Sequence, residues 1–434
     1  MASPTSVPDA RTVAENTKPD RDRAVDVARL AALLVVMFGH CALLLATIDS
    51  GGLRIGNLLG ELPALTPITW VVQIMPLFFL AGGAAGAYGW REGTRWGTWL
   101  FTRAQRLCRP VFWYLAFWTV ALLVTAKIID ADSAAGLGGE CVALLWFLGV
   151  YLVALAFVPT LTRMRSGRAA IVVVGSLLAA AAAVDGVRIA TGVPMSGVPN
   201  FLLVWLVPVV IGVAYARRLI GVPAAFAVAV AAFAAQVLLA TFGPYEVSLV
   251  VTGTERMSNV TPPTLLLALQ CTWMSCAFVA LAGRVQRWAQ RPRVWQAVAV
   301  GNGGAMTLYL WHIPAIAVAT FCMHAVGLDA YDVTARGFWA LLTLRAVIFA
   351  IVMAATFFLL SPLEHRRLLW WDSAVRATGV RSAAAGGFTC MAGVALVMLA
   401  KNGLAGITGY SLLGCFFAAA VAARISAGGP QREM

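Results

Sequence analysis

The chain has 434 residues, of which 61% are hydrophobic and 12% charged, and its mean hydropathy is +0.83. Soluble domains carry about 25% charged residues, so this composition excludes a water-soluble globular protein and leaves a polytopic helical membrane protein. A formal net charge of +13 raises nucleic acid as a partner; where the charge sits along the chain decides against it.

Residues 1–27, "MASPTSVPDARTVAENTKPDRDRAVDV", are polar and contain proline, and read as a disordered cytoplasmic tail. The first apolar run begins only after them and is expected to be an uncleaved span, not a signal peptide. Apolar runs of spanning length fall near 30–48, 67–88, 110–128, 142–161, 169–187, 200–216, 221–242, 264–282, 297–321, 338–361, 383–400 and 404–423. The last two are rich in Gly and Ala. Each run continues for about twenty residues, whereas a membrane barrel would alternate over segments of about ten. The expected fold is all-α, a polytopic transmembrane bundle of about twelve helices.

Basic residues cluster beside every second loop. Arg21, Arg23 and Arg29 lie at the start of the first run, and Arg91, Arg95, Arg103, Arg106 and Arg109 follow the second. Arg163, Arg165 and Arg168 follow the fourth, Arg217 and Arg218 the sixth, Arg284, Arg287, Arg291 and Arg293 the eighth, and Arg366, Arg367, Arg376 and Arg381 the tenth. The alternate loops are poor in basic residues, and acidic at Asp130, Asp132 and Glu140. The positive-inside rule places both termini in the cytoplasm and turns most of the net charge into a topology signal. No nucleic acid is expected as a partner. No loop is long enough for a separate soluble domain and no internal repeat is visible, so any site lies within the bundle or at its faces. The eight cysteines fall in or beside apolar runs without CxxC pairing, which favours buried small hydrophobes over a disulfide or zinc framework.

Three stretches carry residues with chemistry. In "ARLAALLVVMFGHCALLLATI" (28–48), Arg29 and His40 are separated by three helical turns plus about 20°, so they share one face, and Asp26 falls on it too. The rise from Arg29 is about 16 Å, which carries His40 near the bilayer midplane. Asp26 and Arg29 also fit ordinary interfacial charge, and His40 also fits a histidine satisfied by a neighbouring helix. In "FTRAQRLCRP", Arg103, Arg106 and Arg109 recur every third residue at the cytoplasmic start of the third span, with Pro110 expected as its first helical residue. Such a patch suits a phosphorylated ligand and equally suits topology anchoring. In "MTLYLWHIP", Tyr309 and His312 are neighbours one turn apart, and the aromatic belt is the alternative account.

Together these stretches resemble the acyltransferase family 3 membrane proteins, which transfer acyl groups to hydroxyls of envelope sugars and other metabolites. "RAVDVARLAALLVVMFGH" is similar to the family's opening motif of a basic residue, ten residues and a histidine, here Arg29 and His40. "PLFFLAGG" (76–83) resembles its second-span segment, "RAQR" its RxxR motif, "LWFLGVYL" (145–152) its fourth-span segment and "LYLWHIP" its ninth-span signature. Order and spacing agree over about residues 22–361. Ala81 replaces the serine usual after the Phe pair, and the last two helices extend beyond the family's ten-helix core.

The resemblance implies a transmembrane acyltransferase domain over 28–367, additional helices over 368–425 and a tail over 426–434. It implies acyl-CoA as donor from the cytoplasm, no other cofactor and no metal. The acceptor would be a hydroxylated sugar, glycolipid or natural product, and the location a bacterial plasma membrane. His40, Arg29 and Asp26 would be the catalytic residues, with His40 as the base. Arg103, Arg106 and Arg109 would lie near the donor's phosphates, and Trp146, Tyr151, Tyr309 and His312 are further candidates. An alcohol is a weak nucleophile near neutral pH, and a positioned imidazole can accept its proton as the thioester is attacked. The rival expectation is a transporter or flippase of polar-headed substrates, which would more often show paired broken helices and repeat symmetry. A structural or sensor protein that has lost catalysis is disfavoured by the intact Arg29, His40, Arg103 and Arg106.

Overall fold

The computed structural model describes residues 17, 18, 20–49, 52–128, 131–253 and 255–428. Most of the expected terminal tails, and Asp130, lie outside the described residues. In chain order the main elements are α1 (Arg23–Leu43), β1 (Leu44–Asp49), β2 (Gly52–Asn57), α2 (Met75–Tyr88), α3 (Trp96–Ile128), α4 (Ala131–Val142), α5 (Leu145–Leu155), α6 (Gly167–Thr191) and α7 (Asn200–Ala216). They continue as α8 (Val222–Phe242), α9 (Leu265–Ala289), α10 (Pro292–Gly303), α11 (Ala305–His324), α12 (Phe338–His365), α13 (Gly379–Asn402) and α14 (Gly406–Gly428). Among the described residues, 12 helical segments are long and apolar enough to cross a bilayer, as the hydropathy pattern predicts. The fold is an all-α polytopic bundle.

The described chain divides into two compact units. One comprises the residues through Ala85 together with Met164–Ser361; the other comprises Gly86–Arg163 and the residues from Pro362 onward.

In the first unit, α1 packs against α9, α10 and α11, and α9 packs in turn against α7 and α8. The start of α1 is set by Asp22, whose carboxylate accepts the Val25 N–H at 3.3 Å as an N-cap. Long-range bonds then fix it: Ala24 N–H donates to the Gln286 side chain at 2.9 Å, and Asn302 donates to the Asp26 carbonyl at 3.0 Å. The helix stops at Leu43, five residues short of the predicted run. The rest of that run forms β1, paired antiparallel with β2 from Leu44 opposite Asn57. Apolar composition alone does not distinguish strand from helix in so short a stretch. Here Thr47 and Ile48 are β-branched and "DSGG" follows as turn-forming sequence. Leu45 packs with Leu58 and Phe338, which anchors the hairpin.

The second span is discontinuous. A 3-10 turn (Pro63–Ile68) and a short helix (Thr69–Val72) precede α2. Backbone carbonyls at the break are met by a side chain: Gln270 donates to the Trp70 carbonyl at 2.7 Å and to the Gln73 carbonyl at 3.4 Å. Irregular backbone at membrane depth survives only with such partners. Beyond the break, α2 and α7 meet through small residues. A side chain on Gly83 would overlap the Val209 carbonyl, and one on Gly212 would overlap that of Leu80.

In the second unit, α13 packs against α3, α5 and α14. The third span corrects one expectation. Pro110 does not begin the helix but lies inside α3, a helix of 33 residues and about 50 Å. The basic "TRAQRLCR" segment is itself helical and carries the span well past the 30 Å of a hydrocarbon core. Inside the helix, Pro110 removes the N–H that would bond the Arg106 carbonyl, and its ring crowds that same carbonyl.

Candidate active site

His40 lies in the last turn of α1, and α11 faces it. The predicted run 297–321 is in fact interrupted at Gly304, where a side chain would overlap the Phe357 ring. From that break, α11 begins at Ala305 and brings His312 into the bundle two turns later. His312 is fully buried, whereas His40 is half-buried. His40 Nδ1 stands 3.0 Å from His312 Nε2, and the two rings stack with centroids 5.2 Å apart and an interplanar angle of 23°. His312 Nδ1 stands 2.7 Å from the carbonyl of Tyr309.

This chain of contacts assigns the protons. A carbonyl only accepts, so His312 Nδ1 carries a hydrogen and donates it to Tyr309. With both imidazoles neutral, His312 Nε2 then holds a lone pair and accepts from His40 Nδ1–H. His40 Nε2 is left as an unprotonated nitrogen with no hydrogen bond among the described residues. The assignment follows from the hydrogen-bond pattern. It is the arrangement of a base whose tautomer is held from behind.

Asp26 and Arg29 do not join this pair. They belong to the opposite end of α1, about 21 Å and about 16 Å of helix rise from His40 respectively. There the buried Asp26 carboxylate accepts from Arg21 at 2.6 and 3.0 Å and lies 3.6 Å from Arg29 Nη1. Tyr309 is buried on α11 beside His312, with ring centroids 6.3 Å apart.

The remaining candidates belong to the second unit, and their situations differ. Arg106 is exposed on α3. Arg103 lays its guanidinium on the Trp99 ring, 3.8 Å from the centroid. Arg109 is committed elsewhere: it pairs with Asp372 at 2.6 Å and donates to the Glu364 carbonyl at 3.3 Å. Next to it, Gln105 donates to the Trp371 carbonyl at 2.6 Å and accepts, through its own carbonyl, from the Trp371 indole at 2.9 Å. Trp146 is half-buried and Tyr151 buried on α5, with Phe147 in ring contact with both.

One residue escapes a reading based on loops. Arg345 is the only charge between Phe338 and Ser361, so it lies within an apolar run and not beside one. It is 1% exposed and donates from Nη2 to the Cys41 carbonyl at 2.7 Å, next in the chain to His40. An ionisable residue deep in a span is by itself a signal of function. Ala81, at the position of the family's usual serine, sits in an apolar cluster with Val25 and Ala84. Among the described residues, no group of His, Cys, Asp and Glu is arranged to hold a metal ion.

A family model described as an acyltransferase domain matches residues 22–361. No match was found among curated proteins or among solved structures. The matched stretch holds the histidine pair, the RxxR segment and Arg345, and it ends before α13 and α14. Because it takes in well over half of the chain, this protein belongs to acyltransferase family 3 and is an integral membrane acyltransferase.

Proposed function

We propose that the protein moves an acetyl or other short acyl group from acyl-CoA to a hydroxyl of a carbohydrate, glycolipid or other metabolite, with His40 as general base. The observation that carries this reading is the His40–His312 pair, which leaves one basic nitrogen of His40 free inside the bundle. The acceptor oxygen attacks the thioester carbon while His40 Nε2 takes the hydroxyl proton. The carbonyl pair moves onto oxygen. The tetrahedral intermediate then collapses, the C–S bond breaks, and the imidazolium returns its proton to the CoA thiolate. Acyl ester and CoA thiol are the products, and His40 is restored.

Arg103 and Arg106 are proposed to recognise the donor's phosphates at the cytoplasmic edge, with Arg109 given a smaller part because Asp372 already neutralises it. Asp26 and Arg29 act at the cytoplasmic mouth of α1 and not on the reacting atoms. The proposed setting is a bacterial plasma membrane. In a transporter or flippase, an unwound segment would offer free backbone groups to its cargo; at the break before α2 the Trp70 and Gln73 carbonyls instead accept from Gln270.

The test uses sealed inverted vesicles from cells that carry the protein, given acetyl-CoA labelled in the acetyl group from outside. Label should appear on material enclosed by the vesicles, recovered only after they are opened. Release of CoA with label only in the external pool would leave a cytoplasmic-face transferase. No release of CoA above that of vesicles lacking the protein would refute the donor. In the same vesicles, Arg106→Lys should raise the KM for acetyl-CoA several-fold, since lysine loses the planar fork that grips phosphate. An unchanged KM would reduce Arg106 to a topology anchor.

A further inference from the structure

Among the described residues, Arg345 is a charge without a counter-ion. Its side chain is 1% exposed, and only Nη2 finds a partner, the Cys41 carbonyl. Nε and Nη1 are buried and have no hydrogen bond. Helix-end chemistry explains the bonded nitrogen: α1 stops at Leu43, so the Cys41 carbonyl belongs to its last turn, where a cation is favourable. It does not explain the other two. An unpaired guanidinium inside a bundle is expensive, and an amide or a neutral side chain would cap one carbonyl at far smaller cost. Sites keep such a charge when an anion arrives during function.

The position says which anion. Cys41 follows His40 in the chain, with adjacent Cα atoms about 3.8 Å apart. One turn away, Phe38 meets Phe349 edge to face at 5.4 Å, so α12 lies against α1 on this side. The guanidinium is thus fixed at the carbonyl of the residue next to the proposed base, with unspent donors. We infer that Arg345 is the oxyanion donor of the acyl transfer, its Nε and Nη1 hydrogens receiving the thioester carbonyl oxygen as that oxygen gains charge. The inference rests on the reading of His40 as base. As the acceptor attacks, the electron pair displaced onto the carbonyl oxygen is held by Arg345 until it re-forms C=O and expels the CoA thiolate. No further reactant is required.

The experiment compares Arg345→Met and Arg345→Gln with His40→Ala and wild type, as full-length proteins in vesicles given labelled acetyl-CoA. Initial rates are normalised to folded protein, and melting is followed in detergent. Methionine fills the site without charge; glutamine also retains a donor for the Cys41 carbonyl. The expected result is a kcat lower by about 10²–10³-fold in both, a KM for acetyl-CoA within about threefold of wild type, and a melting temperature for Arg345→Met equal to or above wild type because a buried unpaired charge has gone. A capping role predicts the reverse: reduced melting temperature in Arg345→Met and near-normal kcat in Arg345→Gln, and that result overturns the inference. If Arg345→Met does not fold, the kcat of Arg345→Gln decides alone. An inactive His40→Ala beside an active Arg345→Gln sinks the oxyanion role and leaves the base; an active His40→Ala sinks the base first.

Discussion

Replacing His40 with alanine is expected to lower acyl transfer by about 10²–10⁴-fold, the range that a positioned general base contributes, while the protein still inserts and folds. The separation of activity from folding has a structural basis. The packing of α1 is carried by Ala24, Ala28, Ala32, Leu33, Met37 and Cys41, all buried, whereas His40 is half-buried. Alanine is also the better helix former. The loss on the folding side is confined to one hydrogen bond at His312 Nε2, worth about 1–3 kcal/mol if that nitrogen is left buried and unpaired. The measurement is label transfer from acetyl-CoA in vesicles, with the amount of folded protein read from its melting transition. Activity within a few-fold of wild type would remove His40 from the chemistry.

Most of the architecture was legible because the bilayer enforces one rule: backbone groups must be paired within the segment, so long apolar runs become helices. All 12 runs correspond to spans. What hydropathy does not carry is where a helix stops. The ends at Leu43 and Gly304 and the start at Trp96 depend on turn residues, on Phe357 pressing against Gly304, and on a basic segment that is helical despite its charge. The site was legible in part for a similar reason. His40 and His312 stand out as rare ionisable residues in apolar runs, but their meeting at 3.0 Å is a contact between residues 272 apart, beyond any local pattern. Helical periodicity put Asp26, Arg29 and His40 on one face, correctly as an angle, yet a shared face does not shorten a rise of about 16 Å from Arg29 or about 21 Å from Asp26. Arg109 shows the opposite limit: its spacing matches that of Arg103 and Arg106, and only the fold reveals Asp372 beside it.

His312 supplies the sharpest test of the proton assignment, because its two ring nitrogens can be imitated separately. Glutamine at 312 offers an amide N–H for the Tyr309 carbonyl and an amide oxygen to accept His40 Nδ1–H, and so keeps the tautomer that leaves His40 Nε2 free. Leucine keeps the bulk and offers neither. Without an acceptor at Nδ1, His40 divides its proton between two nitrogens and two ring orientations, and the catalytic form becomes a minor one. In hydrolase triads the group that holds the histidine from behind is worth up to about 10⁴-fold in kcat; there it is a carboxylate, and a neutral imidazole should contribute less. The expectation is therefore a fall in kcat of about 10²-fold or more for His312→Leu, a loss of no more than about tenfold for His312→Gln, and an unchanged KM for acetyl-CoA in both. Equal losses in the two variants would show that His312 acts through its own proton transfer or its packing. Wild-type rates in both would mean that His40 needs no partner to hold its ring.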